Sequence, residues 1–272
     1  TLSEAGSSMG ADNPRTMNRS WWLLSGGFLL LVIAFWQCQS EAEFPPLEQE
    51  DGLDFMPMEI GCTWIYRVDS VIYDPLGSSQ PIDTVSGYLK EVITDTFSTP
   101  AGLTYVLDRY GRQDSLSPWA YQKTIGLSLD NDRYLWNEDN LILVKCVFPL
   151  YNGSSWDGTA FFDPLTTIPI YGESMQPFKS WDFRLLARGE SHEIGPYNWP
   201  DVMRIQQADD ENLIERRYSQ EWYQRGIGLV RRHMMILDTQ CDGNPSACAG
   251  IPWEEKGEKG YILDQWLVEY IK

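Results

Sequence analysis

The chain has 272 residues, with 39 Asp and Glu against 21 Lys and Arg, a formal net charge of −18 at pH 7 and a pI near 4.4. Hydrophobic residues make up 43% and aromatics 13%, enough apolar material for a core, so global disorder is ruled out. A charge this negative argues against nucleic-acid partners, which need clustered Lys and Arg to displace counterions from phosphate.

Residues 1–37 are expected to be an N-terminal extension and a signal peptide. Residues 1–16 are small and polar, and Met17 is a plausible start. Arg19 precedes a run without charge until Glu41, and its apolar centre, WWLLSGGFLLLVIAFW, spans 16 residues from Trp21 to Trp36. A basic residue, an apolar run and a processing site make a secretory leader. As a helix the run would reach about 24 Å, short of the ~30 Å hydrocarbon core. Taken to its uncharged limits at Ser20 and Ser40 it would just span, so an uncleaved membrane-anchoring helix is the alternative.

Cys38 follows the run almost at once, as a lipid-acceptor cysteine does in a bacterial lipoprotein. The preceding Phe35-Trp36-Gln37 departs from the usual pattern, because Gln37 is larger than the residue such peptidases prefer. Acyl chains on Cys38 would attach the protein without a spanning helix, at ~0.8 kcal/mol per buried CH₂. Residues 38–54 then form a linker, with Pro45-Pro46, six acids and no base. Such a stretch self-repels and stays extended. Residues 1–37 hold two acids and two bases, so the whole excess of acid lies in the part to be exported.

Residues 55–272 are expected to form a single all-β domain. From Thr63 to Tyr73, Trp64, Tyr66, Val68 and Ile72 share one parity and Arg67 and Asp69 the other, the period of a half-buried strand. Further strands are predicted at 82–97, 103–107, 119–130, 141–148, 183–193, 202–208, 213–225, 229–237 and 261–271. The run Leu141–Phe148 is nearly continuous apolar and predicts a strand covered on both faces. No twelve-residue window has a helical stripe. Short turns favour an antiparallel meander, which must curl to protect its edges. The expectation is a curved sheet, barrel or half-barrel, with a two-sheet β-sandwich as the alternative.

Three stretches carry a resemblance. Phe55–Ser70 (FMPMEIGCTWIYRVDS), Phe148-Pro-Leu with Ser155-Trp-Asp-Gly158, and Tyr223–Val230 (YQRGIGLV) are similar, in that order, to uncharacterised Bacteroidota outer-membrane lipoproteins. The resemblance spans about 55–272. It implies an exported, lipid-anchored β protein and implies no activity. Physically, Gly226 and Gly228 between two strands permit a bulge or a close backbone approach, and nothing helical follows them to make a phosphate loop. Trp64 and Tyr66 are simplest as core aromatics.

The body holds Cys62, Cys146, Cys241 and Cys248. Cys241 and Cys248 bracket the turn-rich DGNPSA and are expected to be bonded in an oxidising compartment. Cys62 and Cys146 could pair, or Cys146 could be a buried thiol. No metal or cofactor is expected. The two histidines, His192 and His233, have no ligand spacing. Asp130-Asn131-Asp132 and Asn137-Glu138-Asp139-Asn140 are rich in oxygen, but they lack the glycine of a calcium loop and are simplest as polar turns. No G-x-S-x-G is present. Asp157, Asp163, Glu173 and Asp182 are no better than chance as paired carboxylates, with 37 acids in residues 38–272. No catalytic constellation is found.

The remaining signal is aromatic. Tyr151, Trp156, Trp199 and Trp253 sit in loop-like places where rings could stack on sugars or anchor a partner, although large aromatics more often pack in a core. The expected function is therefore that of a non-enzymatic accessory or interaction subunit. It would be attached to the outer membrane or cell surface by its lipid and would face an envelope protein partner. A carrier of an apolar ligand in a curved-sheet cavity and a glycan-binding surface lipoprotein are the alternatives.

Overall fold

A computed structural model describes residues 52–74, 81–100 and 102–272. The first strand, β1 (Thr63–Tyr73), has the bounds that alternation predicts, with Trp64, Tyr66 and Ile72 buried. An antiparallel meander continues through β2 (Ile82–Thr99), β3 (Gly102–Arg112), β4 (Ala120–Asp130), β5 (Arg133–Glu138) and β6 (Leu141–Val147). The two acidic stretches turn out to be its hairpins. Asn131-Asp132 and Asp139-Asn140 all have positive φ, between 47° and 64°, as the two central residues of a type I′ turn require.

After β6 the chain makes three short strands, β7 (Ser155–Trp156), β8 (Ile168–Ile170) and β9 (Glu173–Met175). The second half of the meander follows: β10 (Trp181–Ile194), β11 (Tyr197–Glu211), β12 (Glu215–Gln224), β13 (Gly228–Asp238) and β14 (Lys259–Ile271). β14 pairs antiparallel with β1, so the two halves join into one twelve-stranded sheet, in the order β6-β5-β4-β3-β2-β1-β14-β13-β12-β11-β10-β7. β8 and β9 form a separate two-stranded sheet. The sandwich alternative is thus not adopted.

The long sheet curls into a nearly closed barrel, because its two end strands meet. The Val144 N–H donates to the Gly158 carbonyl at 2.8 Å, and the Trp156 indole donates to the Val144 carbonyl at 2.7 Å. Glycine is needed at this seam, since a Cβ on residue 158 would lie 2.0 Å from the Phe183 ring. Inside, Phe55, Ile93, Leu107, Ile125, Phe183 and Val202 form part of one core that draws on both halves.

Gly226 and Gly228 lie in the β12–β13 turn with φ of 74° and 100°. The turn presses on β1, where the Trp64 indole donates to the Ile227 carbonyl at 2.5 Å. A Cβ on Gly228 would come within 3.3 Å of that indole nitrogen. The 3-10 turn Leu53–Phe55 docks at the same place, Asp54 pairing with Arg225 at 2.7 Å. Among the described residues no helix is long and apolar enough to cross a membrane.

Cys241 and Cys248 are joined by a disulfide that closes a short loop before a single helical turn, Trp253–Lys256. A bridge of that span contributes about 2–3 kcal/mol by constraining the unfolded chain. Cys62 and Cys146 are both free and buried. The Cys62 sulfur lies 3.5 Å from the Tyr270 hydroxyl, and burial raises the Cys146 thiol far above its ordinary range.

Candidate functional site

Alternation places half of each strand inside the barrel, and several of those inward residues are charged. β12 carries Arg217, Ser219, Glu221 and Tyr223 on one parity, and all four are buried. Glu221 faces Arg232 directly across the β12–β13 ladder. Lys145 reaches it from β6, the edge strand at the seam.

Glu221 is fully buried and takes four donors. Lys145 Nζ and Arg232 Nε both donate to its Oε1 at 2.7 Å. Gln207 Nε2 and the Tyr223 hydroxyl donate to Oε2. Gln207 can do so because a β-bulge between Gln206 and Ala208 takes it out of the ladder. Burial pushes the Glu221 carboxyl up, but Lys145 and Arg232 outweigh it and bring it down to about 2. Burial holds Lys145 down, to about 8, and the neighbouring Arg232 adds to that against the pull of Glu221.

A second cluster is built on β2, β3, β4 and β5. Arg109 donates to Glu91 Oε1 from Nε and Nη2, at 2.9 and 2.8 Å, and to Glu138 Oε1 from Nη1 at 2.6 Å. Lys123 bridges Glu138, at 3.1 Å, and Asp139. The Trp136 indole donates to Glu138 Oε2 at 2.9 Å. Burial raises Glu138, but Arg109, the Trp136 bond and Lys123 bring it down to about 2.

Above these charges the barrel is not filled. A cavity of about 740 Å³ is lined on one side by Arg109, Lys123, Glu138, Lys145 and Arg232. Its other walls are mostly apolar, including Leu143, Met234 and Leu263 from the sheet, Phe178 from the segment before β10 and Trp181 at the start of β10. The β8–β9 hairpin covers it with Ile168, Ile170 and Tyr171. Tyr171 packs edge-on to Tyr261 at 6.2 Å, and Glu173 pairs with Lys259 at 3.1 Å. The fully buried Arg217 holds the end of the hairpin by donating to the Gln176 carbonyl at 3.0 Å. The volume lies within the ~300–1,000 Å³ of small-molecule sites, which pair apolar walls with a few placed polar groups.

The residues singled out in the sequence lie elsewhere. Cys38 is outside the described residues. Tyr151 is exposed. Trp156 is half-buried at the barrel seam, and half-buried Trp199 packs on the main core beside Tyr197. Trp253 is buried in a second small core with Tyr73 and Leu237, its indole donating to Glu211 at 3.0 Å. Asp157 and Asp163 accept backbone N–H groups two residues on, as turn residues do. Glu173 and Asp182 pair with Lys259 and Arg184. His192 bonds Glu190 at 3.1 Å. No group of three or more His, Cys, Asp or Glu among the described residues is placed to hold a metal ion.

No protein-family model matches the sequence, and no curated protein matches it. Two solved structures are similar in shape. One is a candidate exported protein with a YmcC-like fold from Bacteroides fragilis, at 10% identity and a TM-score of 0.38, covering 79% of this chain and 98% of that one. The other is a candidate lipoprotein from Parabacteroides distasonis, at 12% identity and a TM-score of 0.36, covering 80% of this chain and 98% of that one.

Proposed function

We propose that this protein is a non-enzymatic, lipid-anchored envelope protein whose barrel binds and carries a small ligand with an apolar body. The observation that supports this is the 740 Å³ cavity with its apolar walls and covering hairpin. Such a space inside a β-barrel costs packing energy unless something occupies it. An accessory-subunit role makes demands on the surface alone and leaves this interior without a purpose. Glycan stacking would need Tyr151, Trp156, Trp199 and Trp253 to offer open faces, and Trp253 is only 6% exposed.

The neutral dye Nile red is expected to bind the purified body in a one-to-one complex, read by its fluorescence. Ile170→Trp, which fills the cavity from the hairpin side, is expected to weaken that binding at least tenfold. Saturation by several weak dye molecules, indifferent to the substitution, would defeat the carrier reading.

Attachment rests on Cys38 and the apolar leader before it. The native protein is expected to begin at Cys38 and to incorporate labelled palmitate. An intact mass that retains residues upstream of Cys38, or carries no acyl chain, would remove the anchor and leave the cavity reading untouched.

A further inference from the structure

We propose that the ligand is an acid: an amphiphile with a single negative oxyanion head, carboxylate or phosphate, seated on Arg232 and Lys145, and an apolar tail under the β8–β9 hairpin. This rests on the carrier reading and names its ligand class.

The case begins with donors and acceptors. Arg109 uses all three of its guanidinium nitrogens on Glu91 and Glu138. Arg232 uses one. Only its Nε makes a hydrogen bond among the described residues, while Nη1 and Nη2 carry four N–H groups. Lys145 likewise spends one of its three N–H groups, on Glu221. Both residues line the cavity and both are largely withdrawn from solvent, with side-chain exposures of 13% and 5%. Glu221, the one carboxylate that either touches among the described residues, already takes four donors. What completes the site must therefore accept hydrogen bonds.

Charge then selects among acceptors. Arg109 and Lys123 are answered by Glu91, Glu138 and Asp139, whereas Lys145 and Arg232 share the one carboxylate of Glu221, which leaves one positive charge in that cluster. An alcohol or ester would satisfy donors and leave that charge unpaired in a poorly solvated space, whereas one oxyanion answers both. Because Lys145 and Arg232 bond the same Glu221 oxygen, a single head can reach both. The depressed Lys145 agrees with a cation awaiting an anion. The hairpin end offers no rival charge. Ile168, Ile170, Phe178 and Leu263 have no polar side-chain atom, Thr166, Tyr171 and Tyr261 bring only neutral hydroxyls, and the Trp181 indole is committed to the Pro177 carbonyl at 2.7 Å. One end cationic and the other apolar is the outline of an amphiphilic acid.

The test is displacement of Nile red from the wild-type body by four twelve-carbon probes: dodecanoate, dodecyl phosphate, 1-dodecanol and dodecyltrimethylammonium. Calorimetry with inorganic phosphate and with acetate supplies the heads without tails. The acids are expected to bind at least tenfold more tightly than the alcohol, the ammonium more weakly than the alcohol, and the free heads at least a hundredfold more weakly than the matching amphiphiles. Arg232→Gln is expected to remove most of the advantage of acid over alcohol while changing dodecanol affinity less than twofold. The wild-type comparison decides the matter even if that variant does not fold. Equal binding of acid and alcohol would overturn the head assignment and leave the carrier reading standing. Free phosphate or acetate binding as tightly as its amphiphile would overturn the tail. Failure of the dye and of every probe to bind would overturn both readings.

Discussion

Glu221→Gln is expected to lower the unfolding free energy by about 3–5 kcal/mol, the cost of stranding buried charges by removing their partner. Glu221 is the one carboxylate that Lys145 and Arg232 touch, and it is completely buried. Glutamine keeps the size and one acceptor oxygen, so the loss would come from charge and not from packing. Lys145 would answer by giving up its proton more readily than at its present pKa of about 8. The sign of the pH effect follows. An unfolded lysine holds its proton to about 10.5, so between the folded and unfolded values the unfolded chain binds more protons and stability rises with pH. In the wild type that rise should begin near pH 8, and in the variant already near neutrality, so the deficit should shrink with pH. Urea unfolding at pH 6.5, 7.5, 8.5 and 9.5 measures it. Higher pH confuses the comparison, because burial holds the Tyr66 and Tyr223 phenols well above 10 and their unfolded forms ionise there. Removing one cation as well, in Lys145→Met with Glu221→Gln, should recover part of the loss. A deficit below about 1 kcal/mol that ignores pH would mean that water already screens these charges.

The sheet was largely legible in the sequence and the site was not, for the same reason. Alternation gives the bounds of β1 and the approximate places of nine other long strands, because one face of each is apolar. It also invites the inference that the other face meets solvent. That holds for Arg67 and Asp69 on β1, which are partly exposed at 30% and 39%. On β12 it fails, since Arg217, Ser219, Glu221 and Tyr223 point inward. One clue was available. Lys145 interrupts the Leu141–Phe148 run, and a run covered on both faces leaves its lysine no way out to water. A buried lysine demands a buried acid, which would have prompted a search for Glu221.

The strand β5 lies between two stretches that read as polar turns, Asn131-Asp132 and Asp139-Asn140, but Tyr134, Leu135 and Trp136 are buried in succession and give no alternation to mark it. The turns themselves use the tolerance of Asn and Asp for positive φ. β8 and β9 have three residues each, too few for a period to register, so the cover of the cavity was invisible. The aromatic signal misled in a different way. Trp156 and Trp253 lie in turn-rich sequence, yet one closes the barrel seam and the other fills a small core.

Acid should unfold the protein over a window set by the same interior. Glu221 and Glu138 both ionise near 2 in the folded state against an ordinary 4.5. As pH falls through 4.5 their unfolded forms take up protons while the folded forms refuse them, so stability drops, and the drop continues until about pH 2. The contribution at stake is about 3 kcal/mol for Glu221 and somewhat less for Glu138, whose side chain is 28% exposed. A competing effect runs the other way. With a net charge of −18, protonating surface carboxylates relieves repulsion and favours the folded state. That repulsion acts among exposed groups and is screened beyond about 8 Å at 0.15 M salt, whereas the buried pairs are screened far less. The interior should therefore win at physiological ionic strength, and more decisively as salt is added. Denaturant titrations at pH 6, 4.5, 3.5 and 2.5, each at 0.05 and 0.5 M NaCl, separate the two. The wild type should lose several kcal/mol between pH 4.5 and 2.5. Glu138→Gln should be less stable at neutral pH but lose less across that interval. Stability that stays level or climbs as the solution is acidified at 0.5 M NaCl would show that Arg109, Lys145 and Arg232 do not hold these two carboxylates as the geometry requires.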